Sequence, residues 1–481
     1  MKGRIEKFLS NFFLVCYIIF SIYWCFISIF NDISNFLISF ILIIVMFILV
    51  FKFVKNGKFK INNKKLIVFL VFIALLFRVL LLFLDYGTPY SDYATFYYNS
   101  VYVATLEGGL SSKYIACFPH LYGYMFVLGN FMKVFGSSYI SVIGLNIILD
   151  MIGSIFMYLF SKNIDKGIGV YALILWLFNP FSIYFSVLCS PVIIFNLFLL
   201  ITLYVLSLFL SKLNEKISVL YALLLGFVLC ISNMFRPIMI ILIIAIFIYL
   251  VYIGFSNNNV RKRNLIIYLI IIFSTYSIGN SIYFKLISDI TGYSIDGNMS
   301  GFSLYVGSNK DASGQWSTLN SEVAEMYYNS SEFTPDYYHD NLGNLGIKRY
   351  ANNGIKNNIL LLIKKSFILA TKVNIYNYDS FSSVNSNNFK YLDNFVLLFS
   401  SLFWYLIIIS NVIFSVFFMK NYNYKKIIPY FLFIIGFSLV SIFLEVSPRY
   451  FYPIFPFVIF VSAISLYSII NFLKERKFRN D

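Results

Sequence analysis

About a dozen times along 481 residues, this sequence enters an apolar run of roughly 18 residues or more and leaves it through a polar connection. That repetition constrains the fold more than any other feature. A soluble globule of this length cannot hide so much apolar surface, and a single run would mean only an anchor. Strands of a membrane barrel would alternate apolar and polar residues, and these runs do not. With 60% hydrophobic residues, 12% charged and a mean hydropathy of +0.79, the chain reads as an all-α polytopic membrane protein of about 12 transmembrane helices. The runs follow the basic N-terminus MKGRIEK, then lie near 34–51, 66–84, 139–160, 168–188, 191–211, 217–235, 237–255, 264–284, 395–419, 427–446 and 450–472. No small-residue cleavage site follows the first run, which reads as a retained span.

Every second connection is basic: the N-terminus, 52–65, 161–166, 212–216, 260–263, 420–426 and 474–479 together carry 23 of the 37 lysines and arginines. The alternate connections include two long loops, about 85–138 and 285–394, far sparser in positive charge. The positive-inside rule therefore predicts a plasma-membrane protein with both termini cytoplasmic and the long loops extracytoplasmic. It also explains the formal charge of +16 without nucleic acid, as lysines and arginines set against anionic lipid. Three regions follow: 1–284 with the first outer loop, 285–394 as a large outer-face loop region of mixed character, and 395–481 as C-terminal spans.

Within 285–394, SEVAEMYY (321–328) reads as helix. The run 355–373 is apolar but holds Lys364 and Lys365, which at mid-bilayer would cost roughly 2.5–3.5 kcal/mol each. It reads instead as an amphipathic helix on the outer membrane surface. The five cysteines form no CxxC and imply neither disulfide framework nor metal site.

On this topology the scarce polar groups gather at the outer boundary. Asp85, Asp92, Glu107 and His120 lie in the first outer loop, Arg236 in NMFRP (233–237), and Glu445 and Arg449 in LEVSPRYFYPIFP (444–456). Arg78 lies within the third span. Asp150 is mid-span with Asn146 one turn away, placed to pair between helices or with Arg78. Guanidiniums at headgroup depth hold phosphate through charge-assisted bonds, and a carboxylate beside them can take a proton from an attacking hydroxyl. Together they fit group transfer from a lipid phosphate.

Several motifs carry a resemblance. Arg78 and Asp85 form R-x6-D, followed by SDYATFYYNSVYVA (91–104), FPHLYGY (118–124), KVFGSS (133–138), NPFSIYFSVLCSPVIIF (179–195), FSLYVGSNKDASGQWS (302–317) and EVSPRYFYPIFPF (445–457). The chain resembles the GT-C superfamily of integral-membrane glycosyltransferases, nearest to bacterial relatives of protein O-mannosyltransferases and of the aminoarabinose transferase. It departs in two places: Tyr93 follows Asp92 where many relatives have Glu, and Cys189-Ser190-Pro191 stands where many have Ser-Glu-Pro.

The resemblance implies inverting transfer of a sugar from a polyprenyl-phosphate carrier to an extracytoplasmic acceptor: a cell-envelope glycan, a lipid or a protein. It implies Asp92 as the general base, or as the group that orients the acceptor, with the carboxylates of Asp85 and Glu107 as second choices. Arg236, Arg449 and Arg78 are expected at the lipid phosphate. Tyr93, Tyr97, His120, Glu445 and Trp316 are expected around the substrates. No metal ligand set and no cofactor is expected, with a divalent Mg or Mn ion left open. The competing classes are a flippase or transporter of polyprenyl-linked saccharide and a polysaccharide polymerase or ligase of another membrane fold.

Overall fold

The computed structural model describes residues 2–55, 64–83, 89–256, 260–295, 299–370, 387–419 and 424–480. Among these residues all regular structure is helical, with no strand. Each expected apolar run is helical over most of its described length. Among the described residues seven helices are long and apolar enough to cross a membrane, and Ile33–Val45, Ser218–Asn233 and Ile428–Ser441 are apolar but shorter. The helix Lys64–Leu80 supplies another run. The chain is a multi-pass, all-α membrane protein.

The run at 168–188 is broken, into Gly169–Leu177 and Pro180–Phe185. Pro180 has no N–H to continue the first helix, and it occupies the first turn of the second, where none is needed. Asn179 caps that second helix, its side chain accepting from the Phe181 amide at 3.1 Å.

The helix Val192–Ser211 is apolar on every side and is buried accordingly. Phe195, Leu199, Leu200, Leu203 and Leu206 expose nothing as it packs between Tyr139–Ile164 and Ser218–Asn233. Glycines bring other helices together. A methyl group on Gly226 would meet the Ile272 carbonyl oxygen at 2.7 Å, and one on Gly129 would meet Val103 at 2.6 Å. The first pair joins Ser218–Asn233 to Lys262–Thr291; the second joins Ser91–Thr105 to Tyr122–Phe135.

The two ends of the chain share one packed body. Tyr17 donates to Asn411 Oδ1 at 2.7 Å, Ser21 meets Ser415 at 2.9 Å, and Trp24 packs edge-on against Trp404. Hydrogen bonds between helices satisfy polar groups that lipid would leave unpaired.

Residues 299–370 form a helical layer over the bundle end that carries Asp92 and Arg449. It comprises Gly301–Gly307, Thr318–Tyr328 and a long helix Pro335–Ala370 broken at Gly354, where φ is 73°. The expected helix at 321–328 is thus present. The expected amphipathic helix is helical from 355 to 370, and 371–373 lie outside the described residues. Its two lysines do not share a face. Lys364 is exposed, whereas Lys365 is fully buried against protein, because adjacent helical positions point about 100° apart.

Candidate active site

The segment 89–138, in the first long connection, is mostly helix. Asp92 sits in the first turn of Ser91–Thr105, where the helix dipole favours a carboxylate. Ser91, just before it, takes φ +53°, a left-handed conformation that costs a non-glycine residue about 1 kcal/mol. Farther along, Asn99 folds the loop back: its Oδ1 accepts from the Ser111 amide at 2.8 Å, and its Nδ2 donates to Ser111 Oγ at 3.2 Å. That return starts the helix Ser112–Cys117 and brings Tyr114 within electrostatic reach of Asp92, Arg449 and Tyr450. Burial, with the carboxylate nearby, pushes the Tyr114 phenol well above its ordinary range.

The closing turn 448–454 is a 3-10 helix that begins with Pro448. It presents Arg449 to the first loop. Arg449 Nη2 lies 3.4 Å from Asp92 Oδ2, and Nη1 donates to the Tyr93 hydroxyl at 3.2 Å. The side chains of Arg449 and Asp92 remain 26% and 44% exposed, so the pair is open to a substrate.

Tyr450 extends the cluster. Its ring lies 5.3 Å from the Arg449 guanidinium and 5.5 Å from that of Arg236, within cation–π range of both. Arg236 is held on a turn whose geometry comes from its neighbours. Asn233 donates to Asn280 Oδ1 at 2.9 Å, and a methyl group on Gly123 would meet the Met234 carbonyl oxygen at 2.7 Å. Only glycine allows that main-chain approach, which brings the loop 119–123 against Met234 and Phe235. Tyr283 donates to the Pro119 carbonyl at 2.7 Å and pins the same loop from another helix.

His120 is thereby an electrostatic neighbour of Arg236. Burial, then Arg236 and His339, push its pKa down to about 3, so the imidazole is neutral at physiological pH. Burial lowers Arg236 to about 10, which leaves it charged. Among the described residues, His120 Nδ1 and Arg236 Nη1 are both buried without a hydrogen-bond partner. Each unsatisfied buried polar atom is costly unless a ligand completes it.

Glu445 also joins this cluster. Burial raises its carboxyl to about 7, aided by Asp92 and opposed by Arg449, a hydrogen bond to Tyr450, and Lys365. Among the described residues no three His, Cys, Asp or Glu side chains gather to hold a metal ion.

The sequence-derived set therefore divides. Asp92, Tyr93, His120, Arg236, Glu445 and Arg449 come together. Tyr97 turns away to donate to the Ser137 carbonyl at 2.6 Å and packs on Tyr98 and Tyr139. Glu107 is exposed past the far end of the helix that starts at Ser91, about 20 Å along it from Asp92. Trp316 is 57% exposed on its own turn. Asp85 lies outside the described residues.

Arg78 is fully buried and satisfied within the bundle. Its Nε donates to Asp150 Oδ2 at 2.8 Å, Nη2 lies 2.7 Å from the same oxygen, and other bonds reach Ala74, Leu177 and Ser182. Trp176 donates to Asp150 Oδ1 at 3.1 Å. This is the Arg78–Asp150 pairing that the sequence allowed, and it leaves the guanidinium no N–H for a phosphate. Tyr114 and Tyr450, by contrast, belong to the cluster and were not expected there; adjacency to Arg449 was the only signal for Tyr450.

Comparison with known families bears on the class. Residues 120–278 match the family described as dolichyl-phosphate-mannose-protein mannosyltransferase. The match supports a GT-C-type glycosyltransferase. Among curated proteins the chain finds no match. The matched third of the chain holds His120 and Arg236, and it leaves Asp92, Glu445 and Arg449 outside.

Proposed function

We propose that this protein is a glycosyltransferase that moves a sugar from a polyprenyl-phosphate carrier to a hydroxyl-bearing acceptor on the extracytoplasmic face, with inversion at the anomeric carbon. One observation carries the reading: a half-exposed Asp92–Arg449 pair continues through Tyr450 to Arg236, whose Nη1, like Nδ1 of its electrostatic neighbour His120, lacks a partner among the described residues. A phosphate supplies acceptors for both groups.

In the step itself, the acceptor oxygen attacks the anomeric carbon from the face opposite the carrier. The new C–O bond forms as the bond to the phosphate oxygen breaks. Asp92 takes the acceptor's proton, and the electron pair leaves on the phosphate. Arg449 holds the Asp92 carboxylate in place. Arg236, charged, and His120, as a neutral N–H donor, stabilise the departing phosphate. A neutral imidazole suits this place, because a second full charge beside Arg236 would cost more to bury.

Purified protein supplied with a panel of polyprenyl-phosphate sugars and a hydroxyl acceptor tests the reading. Asp92→Asn is expected to lower transfer by about 10²–10⁴-fold while leaving the fold intact. Unchanged transfer removes Asp92 as the base. Carrier-linked sugar crossing vesicles with no transfer replaces the enzyme with a flippase.

A further inference from the structure

Lys365 is fully buried on a helix whose neighbouring lysine is exposed. Burying an ammonium is expensive unless its donors are satisfied. Its Nζ donates to the Gly307 carbonyl at 2.8 Å and to the Tyr350 hydroxyl at 3.2 Å. The Tyr350 hydroxyl also reaches the Phe443 carbonyl at 2.8 Å. The aliphatic stem passes beneath Gly314, whose φ is +75°, so closely that a methyl group there would meet Cε at 2.7 Å.

The segments gripped by this side chain are those that hold the closing turn. The Glu445 amide donates to the Ser303 carbonyl at 2.7 Å, and the Val446 amide donates to the Gly314 carbonyl at 2.9 Å. A methyl group on Gly307 would collide with the Leu444 backbone. Three stretches distant in sequence, 301–314, 350–365 and 443–446, are thus fastened at one ammonium. Arg449 follows four residues after Glu445. Lys365 and Glu445 also feel each other's charge.

We propose that Lys365 is a positioning residue: its ammonium ties the layer 301–365 to the turn 443–449 and so keeps Arg449 facing Asp92. This rests on the proposed role of Asp92 and Arg449 for its catalytic consequence, though not for the tie itself. The lysine acts through backbone carbonyls and a tyrosine hydroxyl, and it needs no contact with carrier or acceptor.

The test uses the full chain in lipid nanodiscs with Lys365→Met, Lys365→Arg, Tyr350→Phe and, as a surface control, Lys364→Ala. Backbone hydrogen exchange at Glu445 and Val446 reads the tie directly. Lys365→Met is expected to speed exchange there about tenfold or more, Tyr350→Phe by a smaller factor, and Lys364→Ala not at all. With a polyprenyl-phosphate sugar as donor, Lys365→Met is expected to lower kcat about tenfold with KM for the donor within about twofold; Lys365→Arg restores most of the loss. Unchanged exchange in Lys365→Met overturns the proposal whatever the protein catalyses. A rise in KM alone overturns it too, by making Lys365 a donor-binding group. If Lys365→Met does not fold, Tyr350→Phe decides on the same two readouts. Transfer insensitive to Asp92→Asn defeats the catalytic reading and leaves the exchange result standing.

Discussion

Two Arg–Asp pairs in this molecule share their chemistry and little else. Arg78 and Asp150 show side-chain exposures of 0% and 1%, with the guanidinium bonded on every side. Arg449 and Asp92 are 26% and 44% exposed, 3.4 Å apart, and flanked by tyrosines. The buried pair holds helices together; once formed, it has nothing to offer a ligand. The exposed pair contributes little to folding, about 0–1 kcal/mol, and for that reason can exchange partners as substrate arrives. An arginine is available for chemistry when the fold leaves it open to solvent, and its residue type alone does not reveal this.

The two pairs are not independent. Tyr452 lies in the same 3-10 turn as Arg449, packs beside Phe185, and accepts from Asn179 Nδ2 at 3.3 Å. Asn179 caps the short helix whose Ser182 touches Arg78. The buried pair therefore helps seat the turn from which Arg449 projects.

The strongest test of the contrast is to break the buried pair. Asp150→Leu is expected to cost about 3–5 kcal/mol, because it strands a buried guanidinium, while Arg78→Met combined with Asp150→Leu recovers most of the loss. Equilibrium unfolding in detergent measures both; a single-variant cost below about 1 kcal/mol would erase the distinction. Next comes Arg449→Met, expected to change stability by no more than about 1 kcal/mol while cutting sugar transfer about 10²-fold. Unfolding and initial rates on one preparation separate the two, and a variant that loses stability in step with activity would make the exposed pair structural after all.

The smallest effect concerns Glu445, whose pKa rises from 4.5 to about 7 on burial, with Asp92 raising it and Arg449, Tyr450 and Lys365 holding it down. The folded state binds this proton more tightly than the unfolded chain. Its stabilising contribution is full below about pH 4.5 and is lost as pH rises through 7. Glu445→Gln should flatten that part of the stability profile, as measured by melting temperature across this window. A profile unaltered by the substitution would place the titration on another group.

Much of this architecture was legible in the sequence, because bilayer thickness imposes run length. The apolar runs became helical over most of their described length, and Asp92 and Arg449 met although 357 residues separate them. Arg78 was legible as an expensive intramembrane charge, and Asp150 as its potential partner; which neighbours would exhaust the guanidinium depended on the break at Asn179–Pro180, which run-length counting passes over. Lys365 was hidden for another reason. Beside Lys364 it reads as half of a surface pair, and only the rotation between consecutive helical residues, seen against the Gly307 and Gly314 backbones, turns it inward. Tyr114 depends on the fold-back at Asn99 and Ser111, a contact with no periodic signature.

At Gly123 the missing side chain lets two stretches of main chain touch, with His120 just upstream on one and Arg236 just downstream on the other. A gauge block works the same way: solid parts in contact fix a spacing that no adjustable part can drift from. The spacing of the chain segments that carry His120 and Arg236 is set by peptide planes, so under the proposed function a preference for one headgroup over another has to be tuned by neighbouring side chains, not by moving these two segments apart.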